Sequence, residues 1–177
     1  MRLAPIALTG LCVLALAGCA SSEAPRERAR ASDARLPIVV RPLFPADYMA
    51  AASSIDMFVI RSSELALARA TKPRLRQVAL TMIADHRGTS AQLSLAGRRL
   101  NLLPAATLLP AHQAMADELS ASSDFDATYR RQQIAVHQAA LKLHSDFAAR
   151  GESPTLRAVA RNAVPITRRH LDMLRRL

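Results

Sequence analysis

Tryptophan is absent from this 177-residue chain, and phenylalanine and tyrosine together make up only 3% of it. Glycine is also scarce, with five residues. β-Sandwiches and β-barrels depend on aromatic, β-branched and turn-forming residues, so this composition excludes those folds. Two cysteines are too few for the disulfide framework of a small secreted domain. Half of the residues are hydrophobic, with many Ala, Leu and Arg, which favours a folded all-α protein.

Acidic residues are outnumbered, with 14 Asp and Glu against 24 Lys and Arg and a formal net charge of +10. A basic surface can attract nucleic acid, an anionic lipid or an anionic polymer. The Arg pairs of this chain are not accompanied by base-stacking aromatic residues, and the N-terminus resembles an export signal, so we expect no nucleic-acid partner. An anionic polymer or another envelope protein is the expected class of soluble partner.

The N-terminal 18 residues resemble the signal peptide of a bacterial lipoprotein. Arg2 precedes an uncharged apolar run that is too short for a membrane-spanning helix. The run ends in Leu16-Ala17-Gly18-Cys19, which resembles a lipobox. The resemblance implies removal of residues 1–18 and a membrane anchor on acylated Cys19. Ala20 after the lipobox favours the outer membrane, with the protein facing the periplasm; an ordinary cleaved signal peptide is the alternative.

Lipidation would leave the mature chain without a free thiol. Cys12 lies in the removed segment, and Cys19 would carry the lipid. We therefore exclude thiol catalysis and cysteine-ligated metals. Residues 19–46 are rich in Ser, Ala, Pro and Arg without a lasting apolar period, which is typical of a flexible tether.

The folded part is expected at residues 47–177. Apolar residues recur there at spacings of three and four, which predicts amphipathic helices. The predicted helices cover 47–70, 73–102, 124–150 and 154–176, with a short extra helix from Pro110 in the connection between the second and the third.

Capping residues and prolines mark where the predicted helices begin and end. Asp47, Ser122 or Ser123, and Ser153 are the expected N-caps. Pro165 is expected to kink the last helix or end it locally. Four such helices with two tight turns predict an antiparallel four-helix bundle. The long connection allows a ferritin-like crossover, and an up-down-up-down order is the alternative.

The run Met82-Ile83-Ala84-Asp85-His86 and other short motifs spread over residues 46–177 resemble the DUF4142 family, which is classed as ferritin-like. The motif Met82-Ile83-Ala84-Asp85-His86 resembles the M-x-x-D-H signature of that family. The other matching elements, in chain order, are Leu65-Ala66 before Ala70 and Pro73, Phe125-Asp126 with Tyr129, His137, the turn from Gly151 to Leu156, and His170-Leu171. The resemblance implies a helical bundle of the bacterial envelope and leaves the biochemical activity open.

One departure from the family pattern concerns the first helix. Many members carry a Glu where this chain has Val59. The substitution removes the carboxylate that is best placed to face histidines on the neighbouring helices.

Counting residues from the helix ends predicts a metal site inside the bundle. If the connection returns the chain to the same end, His86 and His137 lie at one depth, about 20 Å along the helices. His170 is expected nearer the end of the bundle, level with Glu64. His86 and His137, with Asp56, Asp85, Glu64 or His170, could then bind a divalent metal such as zinc, copper or iron.

The alternative is that His86 and His137 are hydrogen-bonded core residues without a metal. No Glu-x-x-His motif occurs in the chain, so di-iron oxidation is not expected. Asp85 points about 100° away from His86 around the helix, so we expect it to pair with an Arg or cap a loop. His112 and His144 are expected on the surface.

No catalytic motif such as Gly-x-Ser-x-Gly or a glycine-rich phosphate loop is present. The sequence therefore favours a non-enzymatic envelope lipoprotein that serves as a binding or envelope-maintenance module. The alternative is a periplasmic metal-binding bundle that uses His86 and His137.

Overall fold

The protein is described by a computed structural model that covers residues 44–177, and this part contains five helices and no strand. The helices are α1 (Pro45–Arg69), α2 (Pro73–Leu100), α3 (Pro110–Ala121), α4 (Phe125–Arg150) and α5 (Pro154–Arg175). The four long helices form the predicted bundle, and α3 is the predicted short helix in the connection. Within residues 44–177, none of the helices combines the length and the apolar character that crossing a membrane would require.

The connection between α2 and α4 runs lengthwise along α1. The backbone N–H of Leu109 donates to Ser54 Oγ in the first half of α1. At the other end of α1, the guanidinium of Arg69 donates to the carbonyl of Ser120, just before α4 begins. The connection therefore returns the chain to the end where α2 starts, so α2 and α4 run in the same direction. This is the crossover order of a ferritin-like bundle.

Helix packing places the four long helices at the corners of a square. α1 packs against α2 and α4, and α5 packs against the same two helices. α1 and α5 consequently occupy one diagonal, with α2 and α4 on the other. The apolar core consists of two clusters, and all of their residues lie within 44–177. The largest fully buried side chains include Tyr48, Tyr129, Phe58, Phe147, Met49 and Met82.

The helix ends differ from the prediction at two caps. α1 begins at Pro45 with Phe44 as N-cap, so the prediction of Asp47 as cap was wrong. Proline suits a first helical position because it needs no hydrogen-bond partner there. Asp124, rather than Ser122 or Ser123, caps α4 by accepting a hydrogen bond from the N–H of Ala127.

α5 has the predicted N-cap, and it is continuous although its sequence contains a proline. Ser153 caps it as predicted. The helix runs from Pro154 to Arg175 through Pro165, which neither ends it nor breaks it locally. Pro165 is exposed, so water can hydrogen-bond the carbonyl that the missing N–H leaves without a partner.

Candidate metal centre

Three histidines from three helices meet in the interior of the bundle. His86 on α2, His137 on α4 and His170 on α5 are 5%, 1% and 0% exposed. Their ring centroids are 5.3, 5.2 and 5.2 Å apart, so the rings form a nearly equilateral triangle. We call these three residues the histidine cluster.

One nitrogen of each ring points into the middle of the cluster. His86 Nε2 lies 3.3 Å from His137 Nε2. His137 Nε2 lies 3.2 Å from His170 Nδ1. All three nitrogens lie within 4.8 Å of one another. The group as a whole is therefore compact enough for one ion to contact every ring.

The outer nitrogen of each ring is held by an oxygen that can only accept. His86 Nδ1 lies 2.8 Å from Asp56 Oδ1. His137 Nδ1 lies 2.8 Å from the carbonyl oxygen of Gln133. His170 Nε2 lies 2.8 Å from Asp85 Oδ2. Each outer nitrogen must carry the proton and donate it, because carboxylate and carbonyl oxygens have none to give.

These hydrogen bonds determine whether each inner nitrogen carries a proton or a lone pair. A neutral imidazole has one protonated nitrogen and one nitrogen with a lone pair. Burial lowers the pKa of His170 to about 4, and it lowers the pKa of His137 well below the ordinary histidine value. Both rings are therefore neutral at pH 7. The inner nitrogens of these rings have no proton to share, and their lone pairs converge.

Two of the three separations between inner nitrogens suit a metal ion. Histidine nitrogens bind zinc at about 2.0–2.1 Å, so adjacent ligands in a tetrahedral or trigonal site lie roughly 3.3–3.6 Å apart. The separations of 3.3 and 3.2 Å in the cluster are close to that range. A cation would also remove the unfavourable contact between the lone pairs.

Two of the three rings are held by carboxylates that also accept a second hydrogen bond from another side chain. Asp56 Oδ1 accepts a second hydrogen bond from Thr89 Oγ1 at 2.9 Å. Asp85 Oδ2 accepts a second one from Arg169 at 2.8 Å. Burial alone would raise the pKa of Asp85, but the hydrogen bonds from His170 and Arg169 lower it below its usual value. Carboxylates that hold the far side of histidine ligands fix the ring and strengthen its binding to metal.

Some of the predicted site residues lie in the cluster, and others do not. His86, His137 and His170 come together, and His170 is not displaced toward the end of the bundle as expected. The end of α5 lies beside the second turn of α4, where Arg130 Nε donates to the carbonyl of Leu174. Glu64 is not near the cluster; it forms an exposed ion pair with Arg87 at 2.8 Å.

The two aspartates contact the outer sides of histidine rings and do not face the middle of the cluster. Asp56 is 5% exposed and contacts the outer side of His86. Asp85 pairs with an Arg, as predicted, and additionally holds His170. Val59, where the family resemblance led us to expect a glutamate, is fully buried in the apolar core. Asp56, one turn earlier on α1, supplies the carboxylate on this side of the bundle.

Sequence analysis missed several polar contacts around the cluster. Thr89 follows His86 by one helical turn, and this spacing could have indicated it. His112 and His144 are 0% and 8% exposed, so the prediction that they lie on the surface was wrong. His112 Nδ1 lies 2.7 Å from Ser54 Oγ, and His144 Nδ1 lies 3.0 Å from the hydroxyl of Tyr48. The lipidation site predicted at Cys19 lies outside the described residues.

Comparisons with known proteins identify the fold. The model of a family described as "Domain of unknown function (DUF4142)" matches residues 41–177. The structure of CopM in the Cu(II)-bound form is similar, with 19% identity over 75% of this chain and 94% of that chain and a TM-score of 0.64. The CopM structure in the Cu(I)-bound form gives 17% identity and the same coverage and TM-score.

A second protein has the same architecture. The DUF305 fragment from Deinococcus radiodurans covers 74% of this chain and 92% of its own length, with 17% identity and a TM-score of 0.65. No curated protein sequence matches this chain. At these identities the likeness is one of fold, and the site must be judged on its own geometry.

Proposed function

The chain belongs to the DUF4142 family, and from that premise we propose that its bundle binds one copper ion through His86, His137 and His170. The convergence of three inner ring nitrogens, each opposite a protonated outer nitrogen, carries the proposal. Hydrogen-bonded core histidines alone would arrange a donor against an acceptor at each contact. Between His137 and His170, both neutral, the contact is acceptor against acceptor, which favours a cation at this position.

The ligand set favours copper over the other metals expected from the sequence. Iron(II) sites of the common type use two histidines and a carboxylate, whereas both aspartates here hold the outer sides of rings. Structural zinc sites have four protein ligands, whereas zinc sites with three histidines keep a fourth position open for water or substrate, and these three histidines are buried. Copper accepts imidazole and trigonal coordination. CopM, which has a similar fold, has been crystallised with Cu(II), Cu(I) and silver, and this supports the choice.

The surroundings of the cluster favour holding a metal over using it in a reaction. The three rings are 5% exposed or less, and each outer nitrogen is already committed. A buried site of this kind gives a substrate little access to the ion. We infer that the protein is a copper-buffering or copper-carrying module without an enzymatic role.

Copper titration against a chromogenic chelator tests the proposal. Residues 41–177 contain both apolar clusters, so protein of this length retains the whole core. We expect one equivalent of Cu(I) to bind and His137→Gln to weaken binding at least a hundredfold. His112→Gln is the matched control, since His112 is a buried histidine outside the cluster, and it should bind like wild type.

Three results would contradict the proposal, the last of them in its choice of metal. If wild-type protein binds less than about a tenth of an equivalent of copper, the histidines are hydrogen-bonded core residues without a metal. Unchanged binding in His137→Gln would place the copper elsewhere. Tighter binding of zinc than of copper in the same competition would preserve the site and overturn the choice of metal.

We further propose that the bundle works in the cell envelope, anchored through acylated Cys19 and facing the periplasm from the outer membrane. The lipobox-like Leu16-Ala17-Gly18-Cys19 supports this location. Metabolic labelling with a palmitate analogue and membrane fractionation test it. Wild type should be labelled and found in the outer membrane, and Cys19→Ala should be unlabelled. A labelled Cys19→Ala variant, or an unlabelled wild type, would refute lipidation at this residue.

A further inference from the structure

α5 carries a pronounced excess of positive charge. Its sequence from Pro154 to Arg175 contains five arginines and a single acidic residue, Asp172. One of the arginines, Arg169, is paired with Asp85 beside the histidine cluster. The other four do not contact the cluster, so the proposed metal site does not account for them.

These four arginines lie on one side of the helix. Arg157, Arg161, Arg168 and Arg175 are separated by four, seven and seven residues. At 3.6 residues per turn they fall within about 40° of one another, and the row is roughly 27 Å long. Arg161, Arg168 and Arg175 are exposed, and Arg157 is half-buried. We call this row the arginine stripe.

A surface pocket adjoins the stripe in the groove between α4 and α5. It has a volume of about 250 Å³ and is lined by Leu141, Arg168, Leu171, Asp172 and Arg175. Leu171 is buried and Leu141 half-buried, and the guanidinium-bearing residues beside them are exposed. Asp172 lies 3.8 Å from Arg175 in an exposed pair that leaves Arg168 unopposed. The pocket thus combines an apolar floor with a basic rim.

We propose that the arginine stripe and this pocket form a docking surface for an anionic phospholipid membrane. Guanidinium groups bind phosphate through two parallel hydrogen bonds. The leucines would contact the first carbons of the glycerol backbone and acyl chains, while Arg168 and Arg175 contact the phosphate. A soluble anionic polymer would use the charge but would gain nothing from Leu141 and Leu171. The apolar floor therefore favours a lipid over a polymer.

Docking through α5 leaves the opposite corner of the bundle away from the membrane. α1 is diagonal to α5, and the exposed Arg61 and Arg98 belong to the α1–α2 pair. Charge at an anionic surface acts only over about one Debye length, roughly 8 Å at physiological salt. Removing charge from the α1–α2 pair should consequently matter little. This difference provides the control.

Vesicle cosedimentation tests the proposal with protein of residues 41–177. The vesicles are phosphatidylcholine alone or with three-tenths phosphatidylglycerol. We expect binding to the anionic vesicles only. A basic side chain near an anionic surface contributes about fivefold to partitioning, so Arg168→Gln with Arg175→Gln should reduce binding roughly 10- to 30-fold. Leu141→Gln, which leaves the charge unchanged, should reduce it several-fold.

The matched control is Arg61→Gln with Arg98→Gln, which removes the same charge from the other side of the bundle. It should retain binding within about twofold. An equal loss in both double variants would overturn the proposal in favour of non-specific attraction. Equal binding to neutral vesicles, or displacement by polyglutamate together with an unaffected Leu141→Gln variant, would also overturn it. Circular dichroism confirms that each variant is folded.

Discussion

The Asp85 carboxylate accepts a hydrogen bond of 2.8 Å from His170 Nε2, although Asp85 is the sequence neighbour of His86. The pair ties α5 to α2 at the level of the histidine cluster. These two neighbouring residues therefore serve the cluster in two ways. His86 provides one of its ring nitrogens, and Asp85 orients the ring of His170 on a different helix. Arg169 donates to the same carboxylate oxygen and links the pair to the surface.

Asp85→Asn should weaken copper binding about tenfold and leave the fold intact. The amide oxygen can still accept from His170, but the negative charge that strengthens the ring as a ligand is lost. The chelator competition measures the change. Asp172→Asn, which neutralises an exposed aspartate on α5, is the control and should bind like wild type. Identical copper affinities of Asp85→Asn and wild type would mean that Asp85 does not contribute to the site.

Copper should stabilise the folded protein, and only when the cluster is complete. A ligand present at a hundred times its dissociation constant adds about 2.7 kcal/mol to the free energy of unfolding. Wild-type protein should therefore unfold at a higher urea concentration with copper than without it. His137→Gln should show no such difference. A copper-dependent shift of equal size in the variant would point to another site.

The metal-free protein should lose stability in acid, partly through His112. Burial lowers the pKa of His112 in the folded state to about 4, below the ordinary value of 6.5. The unfolded chain therefore binds more protons between these pH values, and the contribution of neutral His112 is complete above pH 6.5 and lost as the pH falls toward 4. A difference of this size corresponds to roughly 3 kcal/mol.

Urea unfolding at pH 7, 6, 5 and 4.5 measures this pH dependence. His112→Gln keeps a polar side chain of similar reach without a titrating group, so its stability should fall less steeply than that of wild type. The other buried histidines are the same in both proteins, so their contribution cancels in the comparison. Parallel curves for the two proteins would mean that His112 is protonated in the folded state without penalty.

Two glycine substitutions should have opposite effects on stability. A Cβ on Gly151 would lie 2.5 Å from ring carbons of Phe147, which is fully buried and stacked on Tyr48 at 4.0 Å. Gly151→Ala should therefore cost roughly 1–3 kcal/mol. Gly88 lies inside α2 with nothing within 4 Å, so Gly88→Ala should gain up to about 1 kcal/mol. Thermal unfolding measures the stability of both variants. Destabilisation by Gly88→Ala would contradict the finding that the space beside Gly88 is open.

Local periodicity was sufficient to predict the long helices and one part of the site. Ile55, Val59, Ser62 and Ala66 recur at helical spacing within the first predicted helix, and all four are buried in α1. His86 and His137 could be brought to one depth by counting, because both helices begin at recognisable proline or aspartate positions at the same end. This counting works only with the crossover, which α3 and the hydrogen bonds to α1 determine.

The third ligand could not be predicted in the same way. The depth of His170 depends on where α5 stops along α4, and that is determined by tertiary contacts such as the one from Arg130 to Leu174. The partner of Asp85 depends on which helix occupies the adjacent corner. His112 and His144 were predicted on the surface, whereas Ser54 contacts His112 Nδ1 and the Tyr48 hydroxyl contacts His144 Nδ1 in the interior.

X-ray absorption spectroscopy of the copper-loaded protein tests the central claim most directly. We expect three nitrogen ligands at about 2.0 Å with the outer-shell scattering of imidazole rings, and loss of this signature in His137→Gln. A copper ion bound by sulfur, or by oxygen without imidazole scattering, would contradict the claim that the histidine cluster is the copper site.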